Sequence, residues 1–225
     1  MTNILKSIPL FSSLNDIELE AIQKLSYVKK YPRDQIILLE DEEGDSLFII
    51  IKGKVKVVTY SETGKEVIFS ILSDNDFFGD MSLLDGKPRS ASIVTMTGTT
   101  IQMIRRPDFN RLLVDHPRIA LGLLEVLAGR LRKADERIES LALLDVSGRI
   151  AGVLLQLADE RGIIQDNQVL IKGRPTHQEL ANMVGTTRET VTRVLKQLEN
   201  KSYITMSGKD VLILNTDSFK NDLYF

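Results

Sequence analysis

The 225-residue sequence predicts an α+β chain in three parts: a small antiparallel β-roll, one long helix and a winged helix-turn-helix. Three observations carry this. Short β-branched runs punctuated by glycine turns fill the stretch from Ile36 to Ile104. Apolar residues then recur at alternating spacings of four and three from Ala120 to Leu141. Finally, two capped helix starts lie ten residues apart, at Thr176 and Thr186. The expected divisions are 1–108 for the roll, 109–144 for the long helix and 145–225 for the C-terminal module.

Hydrophobic residues make up 43% of the chain, enough for real cores, and no apolar run approaches the roughly 18 residues of a membrane span. The opening MTNILKSIPLF has one lysine and no long apolar stretch, so no secretory signal is expected and a cytoplasmic protein is the default. Zero cysteines exclude disulfides and cysteine-ligated iron–sulfur clusters. Net charge is −2, which argues against a general polyanion binder. Locally the balance differs: Lys172 to Lys201 holds six Lys/Arg against three Glu, a local +3.

Residues Ile4 to Leu25 carry short helical patterns with Ser13 or Asn15 as cap. Strands are expected at Ile36–Leu39, Leu47–Ile51, Val55–Val58, Val67–Leu72, Ser90–Met96 and Thr99–Ile104, part of a roll of about eight. The acidic turn Asp41-Glu42-Glu43-Gly44-Asp45 lacks the alternate acidic positions and distant glutamate of an EF-hand, and is read as a solvated turn.

Phe77 to Ala91, FFGDMSLLDGKPRSA, offers a glycine where backbone can approach a ligand, a short helix, then Arg89 and the hydroxyl of Ser90. A guanidinium beside backbone N–H groups suits a phosphate diester, through a forked, charge-assisted contact. The same residues also fit a structural Arg–Asp pair closing a loop, and the pattern alone leaves both open.

Asp108 is positioned to cap a short helix, and Pro117 to begin a long one. Ala120, Leu124, Leu127, Leu131, Ala134, Ile138 and Leu141 form a heptad seam, with Arg130, Arg132, Lys133, Glu136 and Arg137 off it. A core helix can show this spacing, but so narrow a stripe among charges favours a parallel homodimer. Asp145 is expected to cap a helix from Val146 to about Glu160, closed by Arg161-Gly162. Val169–Ile171 reads as a strand. Tyr203–Met206 and Val211–Leu214 read as a wing hairpin, and Asp217 to Phe225 gives no pattern.

Between strand and wing lies THQELANMVGTTRETVTRVLKQLENK. Thr176 with Glu179, and Thr186 with Glu189, have capping-box spacing, and Gly185 separates the two helices. On a wheel of 100° per residue, Arg188, Thr192, Lys196, Glu189 and Arg193 share one face, while Val191, Val194, Leu195 and Leu198 share the other. An ordinary amphipathic helix looks similar. The capped partner helix and the first-turn arginines bracketing a glutamate favour a recognition helix, in which arginine suits guanine and glutamate accepts from cytosine.

These residues resemble a known family. GTTRETVTRVLKQLE resembles the recognition helix of the Crp/Fnr regulators, with the R-E-T-x-x-R of cyclic AMP receptor proteins. Phe78 to Ala91 is similar to the phosphate-binding cassette F-G-E-x-x-L-x-x-x-x-P-R-x-A of the cyclic-nucleotide-binding β-roll, with Asp80 where the family has glutamate. The family's Thr-Ser base-contacting pair is Ala134-Asp135 here.

The resemblance implies a ligand-responsive, dimeric, DNA-binding transcription regulator that senses a cyclic nucleotide and recognises a palindrome with TGTGA-like half-sites. The effector would meet Phe77, Gly79, Asp80, Met81, Ser82, Arg89, Ser90, Ala91, Arg130, Ala134 and Asp135. DNA would meet Thr176, Gln178, Thr187, Arg188, Glu189, Thr192 and Arg193, with Arg188, Glu189 and Arg193 as base readers and Thr176 and Gln178 on phosphates. Leu124, Leu127, Leu131, Ile138 and Leu141 would form the dimer interface, and RNA polymerase is the implied further partner. Cyclic AMP is the favoured effector, because the Asp135 carboxylate accepts from an exocyclic amine but cannot donate to guanine O6. The alternatives are a constitutive regulator and one sensing another ligand, such as cyclic di-GMP.

No metal, haem or membrane is called for. The two histidines, His116 and His177, read as surface or phosphate-contacting groups. No nucleophile–base pair, metal cluster or Walker loop points to an enzyme.

Overall fold

A computed structural model describes residues 5–12 and 14–223. The chain divides into two compact units, Met1–Leu131 and Arg132–Phe225, the division falling within the longest helix.

The first unit begins with a 3₁₀ turn, Pro9–Phe11, and α1, Asp16–Lys24. Asn15 caps α1 in a full capping box: its side chain accepts from Glu18 N–H at 3.0 Å, and the Glu18 carboxylate accepts from Asn15 N–H at 2.7 Å. The other candidate cap, Ser13, lies outside the described residues. Next come β1 (Ser26–Tyr31), β2 (Ile36–Leu38), β3 (Ser46–Lys52), β4 (Val55–Tyr60), β5 (Glu66–Leu72), β6 (Phe77–Phe78), α2 (Asp80–Asp85), β7 (Ser92–Thr95) and β8 (Thr99–Arg105). Helices α3 (Arg106–Asp115) and α4 (Pro117–Leu143) follow. Asp108 sits in the first turn of α3 and does not cap it: Arg105 holds the cap position and Pro107 starts the turn, so helix geometry is set before Asp108 is reached.

The strands pair antiparallel into two sheets, ordered β1-β8-β3-β6 and β2-β7-β4-β5. Strand β3 shows why this unit needs two apolar layers. Its side chains alternate, and both sets are buried. Leu47 and Ile49 join Ile8, Phe11, Leu19, Phe77, Phe109 and Leu123 under the helices. Phe48 and Ile50 join Tyr31, Val55, Phe78, Ile93 and Ile101 inside the roll. Phe48 and Phe78 stack with centroids 5.1 Å apart, which fixes β6 at the sheet edge and so positions the residues after it.

On α4, Ile119 and Leu123 are buried and Leu127 packs partly against the unit's core. The remaining seam leucines and isoleucine stay exposed in the single chain, Leu131 at 64% and Ile138 at 65%. His116, at the junction of α3 and α4, faces Glu18 with Nδ1 2.9 Å from Oε1.

The second unit holds α5 (Val146–Arg161), β9 (Ile163–Gln165), β10 (Gln168–Ile171), α6 (His177–Val184), α7 (Arg188–Asn200), β11 (Ile204–Ser207), β12 (Asp210–Ile213) and α8 (Thr216–Leu223). Asp145 caps α5 by accepting from Gly148 N–H at 2.8 Å, as its position predicts. Strands β11-β12-β10-β9 form one antiparallel sheet, in which β11 and β12 are the wing. The core joins Ile150, Leu154, Leu180, Val191, Leu195, Ile204 and Ile213. It also takes in Phe219 from α8, which is fully buried and meets Tyr203 edge-on at 6.2 Å.

No helix among the described residues is long and apolar enough to cross a membrane. Of the tail that gave no pattern, residues 217–223 thus reach the core through Phe219, residues 224–225 lying outside the described residues, and Phe219→Ala is expected to destabilise the second unit by about 3–5 kcal/mol, read by denaturant unfolding.

Candidate effector pocket and nucleic-acid interface

The candidate effector site is built around a left-handed glycine. Gly79, between β6 and α2, has φ of +84°. A Cβ there would come within 2.8 Å of Ser46 O and 2.9 Å of Arg89 Nη1, so glycine is required twice over. Arg89 is only 5% exposed. It donates from Nη1 to Gly79 O at 2.9 Å and from Nη2 to Ser46 O at 3.2 Å, and lies 5.5 Å over the Phe48 ring. Its Nε is buried without a hydrogen-bond partner. Burial pushes the guanidinium pKa down; Asp45, Asp80 and Glu42 counter this, and Arg106 adds to it. A buried cation resting on carbonyl dipoles, with one donor idle, is a site that gains from an arriving anion.

Asp80 is also buried, at 2% exposure, and its carboxylate is taken. Arg130 of α4 donates from Nη1 to both carboxylate oxygens, at 3.0 and 3.1 Å. Its Nη2 donates to Phe77 O, and the guanidinium covers the Phe77 ring at 4.7 Å. Asp80 thus pairs with Arg130 of α4 and not with Arg89, so the loop-closing Arg–Asp pair does not form, and among the described residues Arg89 makes no ion pair with a carboxylate.

Around this centre, Ser82 is buried, while Met81 and Ser90 are exposed, with Ser90 Oγ 3.5 Å from Met81 Sδ. Ala91 is half-buried. Phe77, Gly79, Asp80, Met81, Ser82, Arg89, Ser90, Ala91 and Arg130 belong to the first unit; Ala134 and Asp135 are exposed on the part of α4 in the second.

Sequence reasoning missed two supports. Arg106 donates from Nη2 to Ser82 O at 2.8 Å and also to Gly44 O, tying α2 to the acidic turn. That turn is more than a solvated loop. Glu42 O accepts from Arg89 N–H at 2.8 Å, Asp41 N–H donates to Arg89 O at 2.9 Å, and a Cβ on Gly44 would fall 2.5 Å from the guanidinium carbon. Backbone does this work, so side-chain pattern could not reveal it.

In the second unit, Thr176 and Glu179 form the capping box of α6, and Gly185 ends that helix at φ +72°. The second start is shifted by one residue. Thr187, and not Thr186, caps α7, accepting from Thr190 N–H at 3.3 Å, and no reciprocal Glu189 bond forms. Thr186 N–H is instead held by Ala181 O, closing the preceding helix. The wheel assignment of α7 stands: Val191, Val194, Leu195 and Leu198 are buried, and Arg188, Glu189, Thr192, Arg193 and Lys196 exposed. Gln178 is exposed and donates to Asn182 Oδ1 at 2.9 Å. Arg193 borders a groove of about 350 Å³ lined also by Asp145, Val146, Ser147, Thr190, Val194 and Gln197. Arg174, 7% exposed and bonded to His177, is a further residue that sequence reasoning passed over.

Residues 28–116 match the cyclic nucleotide-binding domain family, and residues 148–221 the Crp-like helix-turn-helix domain. The chain belongs to the Crp/Fnr family of transcription regulators. It is 34% identical to the CRP-like cAMP-activated global transcriptional regulator of Mycobacterium tuberculosis, over 96% of this chain and 97% of that one. It is 36% identical to the cAMP-activated global transcriptional regulator CRP of Salmonella typhimurium, over 89% and 96%. Among solved structures, the c-di-GMP responsive global regulator CLP of Xanthomonas campestris aligns with a TM-score of 0.76 at 25% identity, over 90% of this chain and all of that one. A CooA mutant from Carboxydothermus hydrogenoformans shares the fold, with a TM-score of 0.81 at 22% identity over 97% and 94%.

This Crp/Fnr chain is a ligand-responsive, DNA-binding transcription regulator with a cyclic-nucleotide-binding roll, and not an enzyme. Its Asp80–Arg130 pair carries a direct expectation. Asp80→Ala leaves Arg130 with the Phe77 carbonyl alone and should cost about 1–3 kcal/mol in unfolding free energy, below the figure for a fully buried pair because the Arg130 side chain is 36% exposed.

Proposed function

We propose that the effector is an adenine cyclic nucleotide whose phosphate is anchored by Arg89. The buried guanidinium with an idle Nε at the Gly79 turn is the observation that carries this reading. Met81, Ser82, Ser90 and Ala91 supply the surrounding backbone and hydroxyl groups, Phe77 and Phe78 the apolar floor, and Asp135 accepts from the exocyclic amine. Asp80 acts mainly through Arg130, so Asp80→Glu is expected to leave cyclic AMP affinity within about twofold. Ligand binding would bias the pose of α4 in a homodimer joined through Leu124, Leu127, Leu131, Ile138 and Leu141. The exposure of Leu124, Leu131, Ile138 and Leu141 in the single chain supports that interface.

In this reading, 1–108 senses, 109–144 dimerises and 145–225 reads DNA, in the cytoplasm and in contact with RNA polymerase. Recognition helices about 34 Å apart would enter successive major grooves of a palindrome.

Calorimetric titration with cyclic AMP, cyclic GMP and cyclic di-GMP tests the effector. Cyclic AMP is expected to bind tightest, and Arg89→Leu to abolish the heat of binding. Tighter binding of either guanine ligand overturns the choice of base, and no binding of any of the three leaves a constitutive regulator.

For DNA, Arg188 and Arg193 read guanines and Glu189 a cytosine, while Thr176, Gln178, Thr187 and Thr192 meet the backbone. Arg188→Leu should cost about 1–3 kcal/mol per half-site and relax the preference at one base pair, scored by selection from random duplexes. An unchanged consensus would remove Arg188 from the base readers.

A further inference from the structure

A hydrogen-bonded chain runs from the wing to the first turn of α7, and its donors and acceptors admit one assignment. Arg174 N–H donates to Lys209 O, at the wing turn, at 2.8 Å. The buried Arg174 guanidinium gives Nη1 to Pro175 O at 2.8 Å and places Nη2 3.0 Å from His177 Nε2. His177 Nδ1 lies 2.8 Å from Thr192 Oγ1, and that hydroxyl donates to Arg188 O at 2.9 Å. A guanidinium has donors only, so Nε2 must accept. The imidazole is then neutral with its proton on Nδ1, where it donates to Thr192 Oγ1. The threonine hydroxyl hydrogen is left for the Arg188 carbonyl, and every link is satisfied.

We propose that His177 is a positioning residue, held neutral in the Nδ1–H form, that ties the wing to the recognition helix and sets the reach of Arg188 toward DNA. This deepens, and rests on, the reading of Arg188 as a base reader. The second nitrogen of a ligating or bridging histidine commonly fixes its tautomer, and here Arg174 does so. Burial first, then the charges of Arg174 and Arg188, lowers the His177 pKa below 6.5. Those two arginines are the charged groups facing the ring, from the segment ahead of α6 and from α7.

The sign follows. A folded pKa below the unfolded one means that the chain's contribution is complete above about pH 6.5 and is lost as pH falls from there through the lowered folded value. Protonation turns Nε2 into a donor facing a donor, and the link to Arg174 opens. A histidine that instead contacted a DNA phosphate would do the reverse, binding DNA more tightly as it gained charge.

With only two histidines, His177 is assigned in full-length protein by the resonances missing from His177→Gln. Long-range ¹⁵N–¹H correlation at about pH 7.5 should show a protonated Nδ1 and a bare Nε2. An Nε2–H tautomer or an imidazolium overturns the proposal.

The functional arm uses duplexes selected by the wild-type protein, and the same duplexes with the base pair lost in Arg188→Leu selection replaced. His177→Asn keeps a donor at the Nδ1 position, and His177→Gln keeps an acceptor at Nε2. Each breaks one link and should lose roughly fivefold in discrimination between the duplexes. Wild-type discrimination should hold at and above about pH 6.5 and be lost only as pH falls through the lowered folded pKa of His177, with both variants flat over the same range.

Wild-type affinity that rises on acidification identifies a phosphate contact and overturns the relay. Arg188→Leu run alongside keeps the two readings apart. Unchanged preference there defeats the base-reader assignment, whereas lost preference there with full discrimination in both His177 variants defeats the relay alone.

Discussion

The sensor unit depends on keeping a guanidinium out of water. Transferring a cation into a protein interior is costly, and Arg89 is 5% exposed with no carboxylate bonded to it among the described residues. What offsets the cost is backbone: the carbonyls of Gly79 and Ser46 point at its nitrogens, and the face of Phe48 lies beneath it. Those carbonyls can converge only if chain passes close by on two sides. Gly79 and Gly44 permit that approach, since a Cβ at either would strike the guanidinium. The Phe48–Phe78 stack then sets the depth at which Gly79 sits. Two glycines, two phenylalanines and a serine carbonyl are thus organised by one charge.

Asp80 and Arg130 solve the same problem in the opposite way. Their carboxylate and guanidinium neutralise one another, and the pair adds order without leaving a donor idle. Placing the neutralised pair next to the unneutralised Arg89 makes the site asymmetric. An incoming anion meets one cation that gains a partner and another that has no need of one. Arg130 lies on α4, so the carboxylate beside the Gly79 turn also fixes one point on that long helix. In the proposed reading, a ligand that disturbs Asp80 reaches α4 through this short, charged connection.

Much of this was legible in the sequence, for identifiable reasons. Strands rich in Val and Ile between glycine turns announced themselves, whereas β1, SYVKKY, did not. It is an edge strand, and its lysines protect an open edge while hiding the strand pattern. Strand β6 is two residues long and β9 three, too short for any period. Helix α8 contributes one buried aromatic, Phe219, and one anchor makes no stripe. The cap of α7 slipped by a residue because Thr186 and Thr187 are chemically equal and only the Ala181 carbonyl distinguishes them. Arg89, Gly79 and Asp80 could be named because their residue types are unusual in that order. Arg106, Ser46 and Arg174 could not, since Arg106 and Arg174 donate to carbonyls and Ser46 acts through its own, and a carbonyl has no letter in the sequence.

Arg89 and Arg174 show how one device takes two roles. Both are buried arginines resting on backbone carbonyls, both have an Nε without a partner, and burial lowers the pKa of both. They differ in what meets the rest of the guanidinium. Arg89 meets the carbonyls of Gly79 and Ser46 and the Phe48 ring, with no side-chain acceptor among the described residues. Arg174 gives one nitrogen to Pro175 O and meets the His177 ring with another, so its contacts run onward to a side chain. In the proposed readings the first is left to meet a ligand, while the second already has an imidazole in that place. In that comparison His177 stands where a ligand would stand, which is why its protonation state matters to the helix it holds.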